Sequence, residues 1–276
     1  MRKLLKSLTL GFGVGLSLAL AAGQVLAQAG KVEVLWLGQA AFRITSPTGK
    51  VIVIDPWLKT NPKTPAEYKD LAKLGKPDVV LVTHGHFDHT ADVAELVAMH
   101  KVRMFAPAGL KDTMVGLGLV PAELAPGMNK SGYVTPLGPE IKLHMVHAEH
   151  SSEFAYKDPA TGKTMSYPGG EPVGWIIELE NGFKIYHMGD TGLFGDMRMI
   201  GELYKPDLVL VPIGGNFTIN AQLAAMAVKD LVKPKFAIPM HYGTYPVLAG
   251  KPEDFAKGVG DAVKVFVPQP GEKLSF

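Results

Sequence analysis

The sequence predicts a layered α/β domain, and three observations carry that expectation. Short apolar or β-branched runs alternate with longer helix-like stretches, in two batches of similar content. The runs Val79-Val80-Leu81-Val82 and Leu208–Pro212 are apolar throughout, as strands covered on both faces are. Clusters of His and Asp follow directly after such runs, where α/β proteins build their sites. There is no heptad run, no solenoid-length repeat and no low-complexity block.

Along the chain, the N-terminus is set aside first. Met1–Lys6 carries Arg2, Lys3 and Lys6 and no acid, an apolar stretch runs from Leu8 to about Ala22, and small residues lead to Ala27. Residues 1–27 have the form of a secretory signal peptide. The stretch is short for a membrane span, which needs about 20 apolar residues. The expectation is an exported, periplasmic or secreted protein: a single domain over residues 28–276 with no stable membrane insertion after cleavage. Lys31–Leu37, Ala41–Thr45 and Val51–Asp55 then read as strands, with a turn at Ser46–Gly49. Val79–Thr83 is a buried strand and Ala91–Met99 a helix. Lys101–Ala106 and Ile141–Val146 are further strands. The polar, Pro/Gly-rich residues 156–172 read as an exposed loop beside the site. Val173–Leu179 and Phe183–His187 flank Glu180-Asn181-Gly182, a hairpin signal. Met197–Tyr204 and Gln222–Leu231 are helical, while Leu208–Pro212, Phe236–Met240 and Val263–Val267 are strands.

The net charge of +2 falls to −1 once Arg2, Lys3 and Lys6 are set aside, and no basic stripe marks a nucleic-acid surface. With no cysteine there is no disulfide, no thiolate ligand and no lipid-anchored N-terminus. Any metal must be held by imidazole and carboxylate. A serine nucleophile lacks its supporting G-x-S-x-G pattern.

Only nine histidines occur in 276 residues, yet three fall in Thr83–His89, beside Asp88. Residues two apart in an extended segment point the same way, so His84 and His86 can chelate one ion. Asp88 and His89 follow at a helix start, turned toward a second ion. An H-x-H-x-D-H spacing thus supplies two adjacent cations from one loop. Further ligands must come from other strand ends. Glu149-His150-Ser151-Ser152, Gly189-Asp190-Thr191-Gly192 and Met240-His241-Tyr242-Gly243 each lie just past a strand. The strand-end position favours His150 over His147. His187, inside a strand, reads as a buried, hydrogen-bonded histidine, and Trp57 as a residue lining the cleft.

THGHFDH, HSS, MGDTG and PMHYGT, in this order, resemble the metallo-β-lactamase superfamily over about Lys31–Phe276. IDPWL, YPGGEPVGWIIE, KIYHMGDTGLFGDM and PIGGNFTI are similar to its branch of metal-dependent hydrolases related to ascorbate-6-phosphate lactonase. The resemblance implies a four-layer αββα sandwich with the site along one edge of its two sheets. It implies that His84, His86 and His150 hold a first metal, that Asp88, His89 and His241 hold a second, and that Asp190 bridges them. Asp55 would orient a ligand from behind. One departure is Ile219-Asn220-Ala221-Gln222, where relatives open a helix with a Met-Gly-Pro-like turn.

The expected chemistry is hydrolysis of a small molecule by a metal-activated hydroxide, on a lactone or other carboxylic ester. Two divalent ions, Zn²⁺ first and Mn²⁺ or Fe²⁺ as alternatives, suit the donors. Asp88 and Asp190 would aim the attacking water. Tyr242 and Asn216 are the candidate donors to a developing oxyanion. Phosphodiester hydrolysis, β-lactam hydrolysis and a non-catalytic metal- or ligand-binding role in the envelope are the alternatives, and oligomerisation is open.

Overall fold

The computed structural model describes residues 30–276, so the signal-peptide reading of residues 1–27 lies outside the described residues. The strands are β1 (Glu33–Gly38), β2 (Ala41–Thr45), β3 (Val51–Ile54), β4 (Val79–Leu81), β5 (Arg103–Phe105), β6 (Tyr133–Val134), β7 (Lys142–His147) and β8 (Glu153–Lys157). They continue with β9 (Thr164–Pro168), β10 (Val173–Glu178), β11 (Lys184–His187), β12 (Leu208–Pro212), β13 (Phe236–Met240), β14 (Lys264–Val265) and β15 (Lys273–Ser275). One sheet has the order β15-β1-β2-β3-β4-β5 and the other β14-β13-β12-β11-β10-β7-β6. Strands β3 to β5 are parallel, as are β11 to β14.

Side-chain parity explains the layers. Val34 and Trp36 of β1, Ile52 and Ile54 of β3, Val79 and Leu81 of β4, and Leu208 and Leu210 of β12 meet in one core between the sheets. Their chain neighbours Leu35, Leu37, Val51, Val53, Val80 and Val82 face the opposite way. There they pack under the helices Val93–His100 and Ala108–Gly116, through residues such as Leu96, Leu110 and Met114. Val209 and Val211 likewise face a third core, beneath the helices Met197–Tyr204, Ala221–Met226 and Pro252–Val259. Three apolar interfaces between four layers make the αββα sandwich. Both faces of each sheet are covered, so its strands read as continuous apolar runs rather than alternating ones. Among the described residues, no helix is long and apolar enough to cross a membrane.

Two local readings change. The expected loop at 156–172 is largely a β-hairpin, β8 with β9, paired from Glu153↔Pro168 to Lys157↔Thr164. Most of its side chains are exposed, so it carries no alternating apolar pattern to announce a strand. The expected helix over Gln222–Leu231 is α-helical only for Ala221–Met226, then widens into π turns over Ala227–Val232. Asn220, at the departure from the relatives' turn, caps that helix by accepting from Leu223 N–H at 2.9 Å.

Candidate metal centre

The carboxyl ends of β3, β4, β11 and β13, with the exit of β7, meet at one edge of the sandwich. They deliver Asp55, Thr83–His89, Asp190, His241 and His150 respectively. Side chains up to 186 positions apart, Asp55 and His241, thus converge because parallel strands all end on the same side. Donor atoms of His84, His86 and His150 lie within 4.8 Å of one another, and so do those of Asp88, His89, Asp190 and His241. In the first group, His84 Nε2 faces His86 Nδ1 at 3.0 Å. In the second, His241 Nε2 lies 3.3 Å from Asp88 Oδ2 and 2.9 Å from Asp190 Oδ2, and His89 Nε2 lies 3.4 Å from Asp190 Oδ1. Asp190 stands between the groups, with Oδ2 also 3.8 Å from His150 Nε2.

The donors fit a divalent first-row cation. His89 Nε2, His150 Nε2 and Asp190 Oδ1 are buried with no hydrogen-bond partner, a state that native interiors rarely tolerate. All three atoms point into the cluster of imidazoles and carboxylates, the ligand set such cations prefer.

Partners behind the donors fix their tautomers. Asp55 Oδ2 accepts from His89 Nδ1–H at 2.7 Å and from the Thr83 hydroxyl at 2.7 Å, while Oδ1 accepts from Thr83 N–H at 2.8 Å. With that proton committed to Asp55, Thr83 Oγ1 accepts from His84 Nδ1–H at 3.0 Å. Both imidazoles therefore direct Nε2 inward, and it is bare whenever the ring is neutral. Asp55 and His241 adopt left-handed backbones, with φ of 47° and 56°. Such conformations cost on the order of 1–3 kcal/mol in non-glycine residues and concentrate at functional sites. Gly189 (φ 65°) lets the chain pass before Asp190: an added Cβ would lie 2.8 Å from Val173 O and 2.9 Å from Thr83 Cβ.

Protons compete unequally for the two groups. Burial pushes the His84 and His150 imidazoles below their ordinary value, which favours the neutral form of both. Burial also opposes charge on His89 and His241, but Asp190 and Asp88 outweigh it. His89 is held well above its ordinary value, with Asp55 adding to the pull, and His241 is raised to about 9. In turn, burial penalises the carboxylates of Asp190 and Asp88, yet the neighbouring imidazolium charges leave both below the usual range. A raised histidine stabilises the fold fully below its unfolded value of 6.5 and loses that contribution as pH rises through about 9. The melting temperature of metal-free protein is therefore expected to fall between pH 6.5 and 9. Divalent cation affinity at the second group should rise over the same window, as the proton is displaced more easily. Thermal unfolding with and without chelator across this range checks both signs; a flat metal-free curve would refute the pairing.

The cleft above the donors, about 400 Å³, reaches His86, Asp88, His150, Asp190 and His241 at its floor. Tyr242 does not line it. That ring stacks on Trp36 at 5.5 Å and faces a separate cavity, because the left-handed turn at His241 sends consecutive side chains to different sides. Asn216 is exposed and likewise absent from the cleft wall; it occupies a left-handed turn position (φ 58°) that Asn tolerates. Its neighbour Phe217 reaches the cleft instead. Trp57 lies beneath the wall, edge-on to Phe87 at 5.4 Å and stacked with Tyr245 at 6.1 Å. His147 sits away from the donors, against Phe194 and Glu149. His187 is buried, donating from Nε2 to Ala40 O at 2.9 Å and accepting at Nδ1 from Gly189 N–H at 3.1 Å. That bond steadies the turn into Asp190. Sequence reasoning passed over Gln39, Ser151, Tyr245 and Leu248, which also line the cleft. Tyr245 lies four residues past His241 on the same loop, which was the available signal.

Two facing sheets with a twin cluster of imidazole and carboxylate donors at their shared edge define a metallo-hydrolase of the metallo-β-lactamase fold. A family model described as a beta-lactamase superfamily domain matches residues 33–241. Igni18, a metallo hydrolase from the archaeon Ignicoccus hospitalis, superposes with a TM-score of 0.77 at 33% identity, covering 89% of this chain and 98% of its own. A UPF0173 metal-dependent hydrolase from Cupriavidus necator is 62% identical over 251 residues, spanning 90% of this chain and 87% of that protein. Another from a Polaromonas species is 59% identical over 248 residues, spanning 90% of each. The chain belongs to the beta-lactamase superfamily and, within it, to the UPF0173 family of metal-dependent hydrolases.

Proposed function

We propose that the protein hydrolyses an uncharged carboxylic ester or lactone with an apolar body. A pair of divalent cations would be held by His84, His86 and His150 on one side and Asp88, His89 and His241 on the other, with Asp190 between. The observation that carries the substrate reading is the cleft wall. Phe87, Phe217, Tyr245 and Leu248 form it above the donors, and among the described residues no Lys or Arg lines it. Phosphate recognition ordinarily recruits Arg or Lys. A phosphodiester, a phosphorylated lactone or the carboxylate of a β-lactam would set an unpaired anion against this wall.

Cations bound at this edge would polarise a carbonyl and would lower the pKa of water from 15.7 toward about 7. The chain's residues supply the rest. Asp88 and Asp190, as carboxylates, would accept a hydrogen bond from the attacking water and aim it. Phe87 and Phe217, 53% and 61% exposed, are free to close on an apolar group and exclude bulk water. Tyr245, a residue of the cleft wall, is the candidate to donate its hydroxyl proton to a developing oxyanion. Tyr245→Phe is expected to lower kcat by about 10²- to 10³-fold with little change in KM, in the range of a lost oxyanion donor.

Cation-loaded protein assayed against alkyl and aryl esters, lactones, phosphodiesters and β-lactams tests the reading. Turnover confined to the first two classes is expected; preference for a phosphodiester would overturn it. The leader-like residues 1–27 support action outside the cytoplasm, and a mature N-terminus near Gln28 in exported protein checks that.

A further inference from the structure

We propose that Gln39 is a fifth donor to the second cation site, through its side-chain carbonyl Oε1. The proposal rests on the two-cation reading above. Gln39 occupies the tight turn between β1 and β2 with a left-handed backbone (φ 52°) and is 1% exposed. Its backbone carbonyl accepts from Trp36 Nε1–H at 3.0 Å and from His241 N–H at 3.1 Å. The turn is thereby tied to the loop that carries His241, and the direction of the side chain is set by it.

The terminal amide lies 2.8 Å from Asp88 Oδ2 and 2.7 Å from His241 Nε2. Imidazole-to-carboxylate spacings within this group run from 2.9 to 3.7 Å. The Gln39 amide meets Asp88 Oδ2 and His241 Nε2, the same two atoms that face each other inside the donor cluster, whereas Asp55 meets only the outward Nδ1 of His89. Without a cation, the NH₂ group turned inward is favourable, because it donates to Asp88. That orientation leaves Oε1 buried with no partner, a costly state. With a cation present, an inward NH₂ would oppose it. A half-turn of the amide keeps the same shape, exchanges N for O and brings a carbonyl oxygen inward. The NH₂ then takes the buried position that Oε1 vacates, and the carbonyl–cation interaction offsets its unmet hydrogen bonds.

The consequence is chemical inequivalence. The first group offers three imidazoles and shares Asp190. The second gains a third oxygen, from Asp88, Asp190 and Gln39, beside two imidazoles. Oxygen-rich sites favour Mn²⁺ over what an imidazole-rich site prefers.

Calorimetric titration of metal-free, full-length protein with Zn²⁺ and Mn²⁺ tests the proposal, alongside Gln39→Met, which keeps the length without the oxygen. Wild type should take two equivalents. In Gln39→Met the first should bind unchanged and the second about 10-fold more weakly, with the larger loss for Mn²⁺. Cobalt substitution gives a readout independent of activity: the second equivalent's visible bands should intensify in the variant as the coordination number falls. An unchanged or tighter second equivalent would overturn the assignment. A single equivalent in wild type would overturn the two-cation reading and this proposal together. If Gln39→Met does not fold, Gln39→Glu carries the test, and it should tighten the second equivalent; failure to do so refutes the role.

Discussion

Asp190→Ala is expected to lower kcat by about 10³-fold or more and to reduce bound cation, while leaving the sandwich folded. Two physical effects combine. Among the described residues, Asp190 is the one side chain with an oxygen toward both donor groups, so its loss removes charge compensation from each. Transition-state stabilisation of several kcal/mol is at stake, and each 1.4 kcal/mol is tenfold in rate. The carboxylate is also 3% exposed and faces two imidazoles whose protonation it supports. Truncating one partner of a buried charged set costs roughly 3–5 kcal/mol, so the metal-free variant should melt lower below pH 6.5. Its pH dependence between 6.5 and 9 should flatten, since His241 loses the strongest carboxylate holding its proton. Elemental analysis, kinetics and melting curves separate these effects. Activity within tenfold of wild type at full cation content would show that the chemistry is not centred on Asp190.

Asp55→Asn should act one step further back. Asp55 touches no cleft; its two oxygens accept three buried hydrogen bonds, from Thr83 N–H, the Thr83 hydroxyl and His89 Nδ1–H. An amide has one acceptor oxygen and brings an NH₂ that cannot accept. At least one buried donor is left unmatched, at a cost of about 1–3 kcal/mol, and His89 loses the partner that fixes its tautomer. Cation affinity is expected to fall about 10- to 100-fold, the usual penalty for losing a group that orients a histidine ligand. The second site should suffer first, because His89 belongs to it. Raising the cation concentration should restore activity to Asp55→Asn but not to Asp190→Ala. Failure of that rescue would mean that Asp55 serves only the fold.

Much of this was legible in the chain itself. Uninterrupted apolar strands such as Val79–Val82 and Leu208–Pro212 require cover on both faces, which makes layers unavoidable. The dense His/Asp stretch after β4 fixes where ligands must gather, since backbone spacing within one loop is local information. The hairpin of β8 and β9 was not legible, because exposed strands carry no buried side to impose a period of two. Nor was the exchange of Tyr242 and Asn216 for Tyr245 and Phe217 on the cleft wall. There the side-chain directions follow left-handed backbone at His241 and Asn216, which residue type does not reveal.

By itself, then, the sequence determined the layered architecture, the family and the identity of the strand ends that carry imidazole and carboxylate. Only the tertiary structure decided which polar side chain reaches those donors from a distant turn, as Gln39 does across 49 and 202 positions, and which rings wall the cleft. The physical reason is one of range. Periodicity and ligand spacing are set by neighbours along the chain, whereas the aim of a side chain at a shared edge is set by turns brought together from several strands at once.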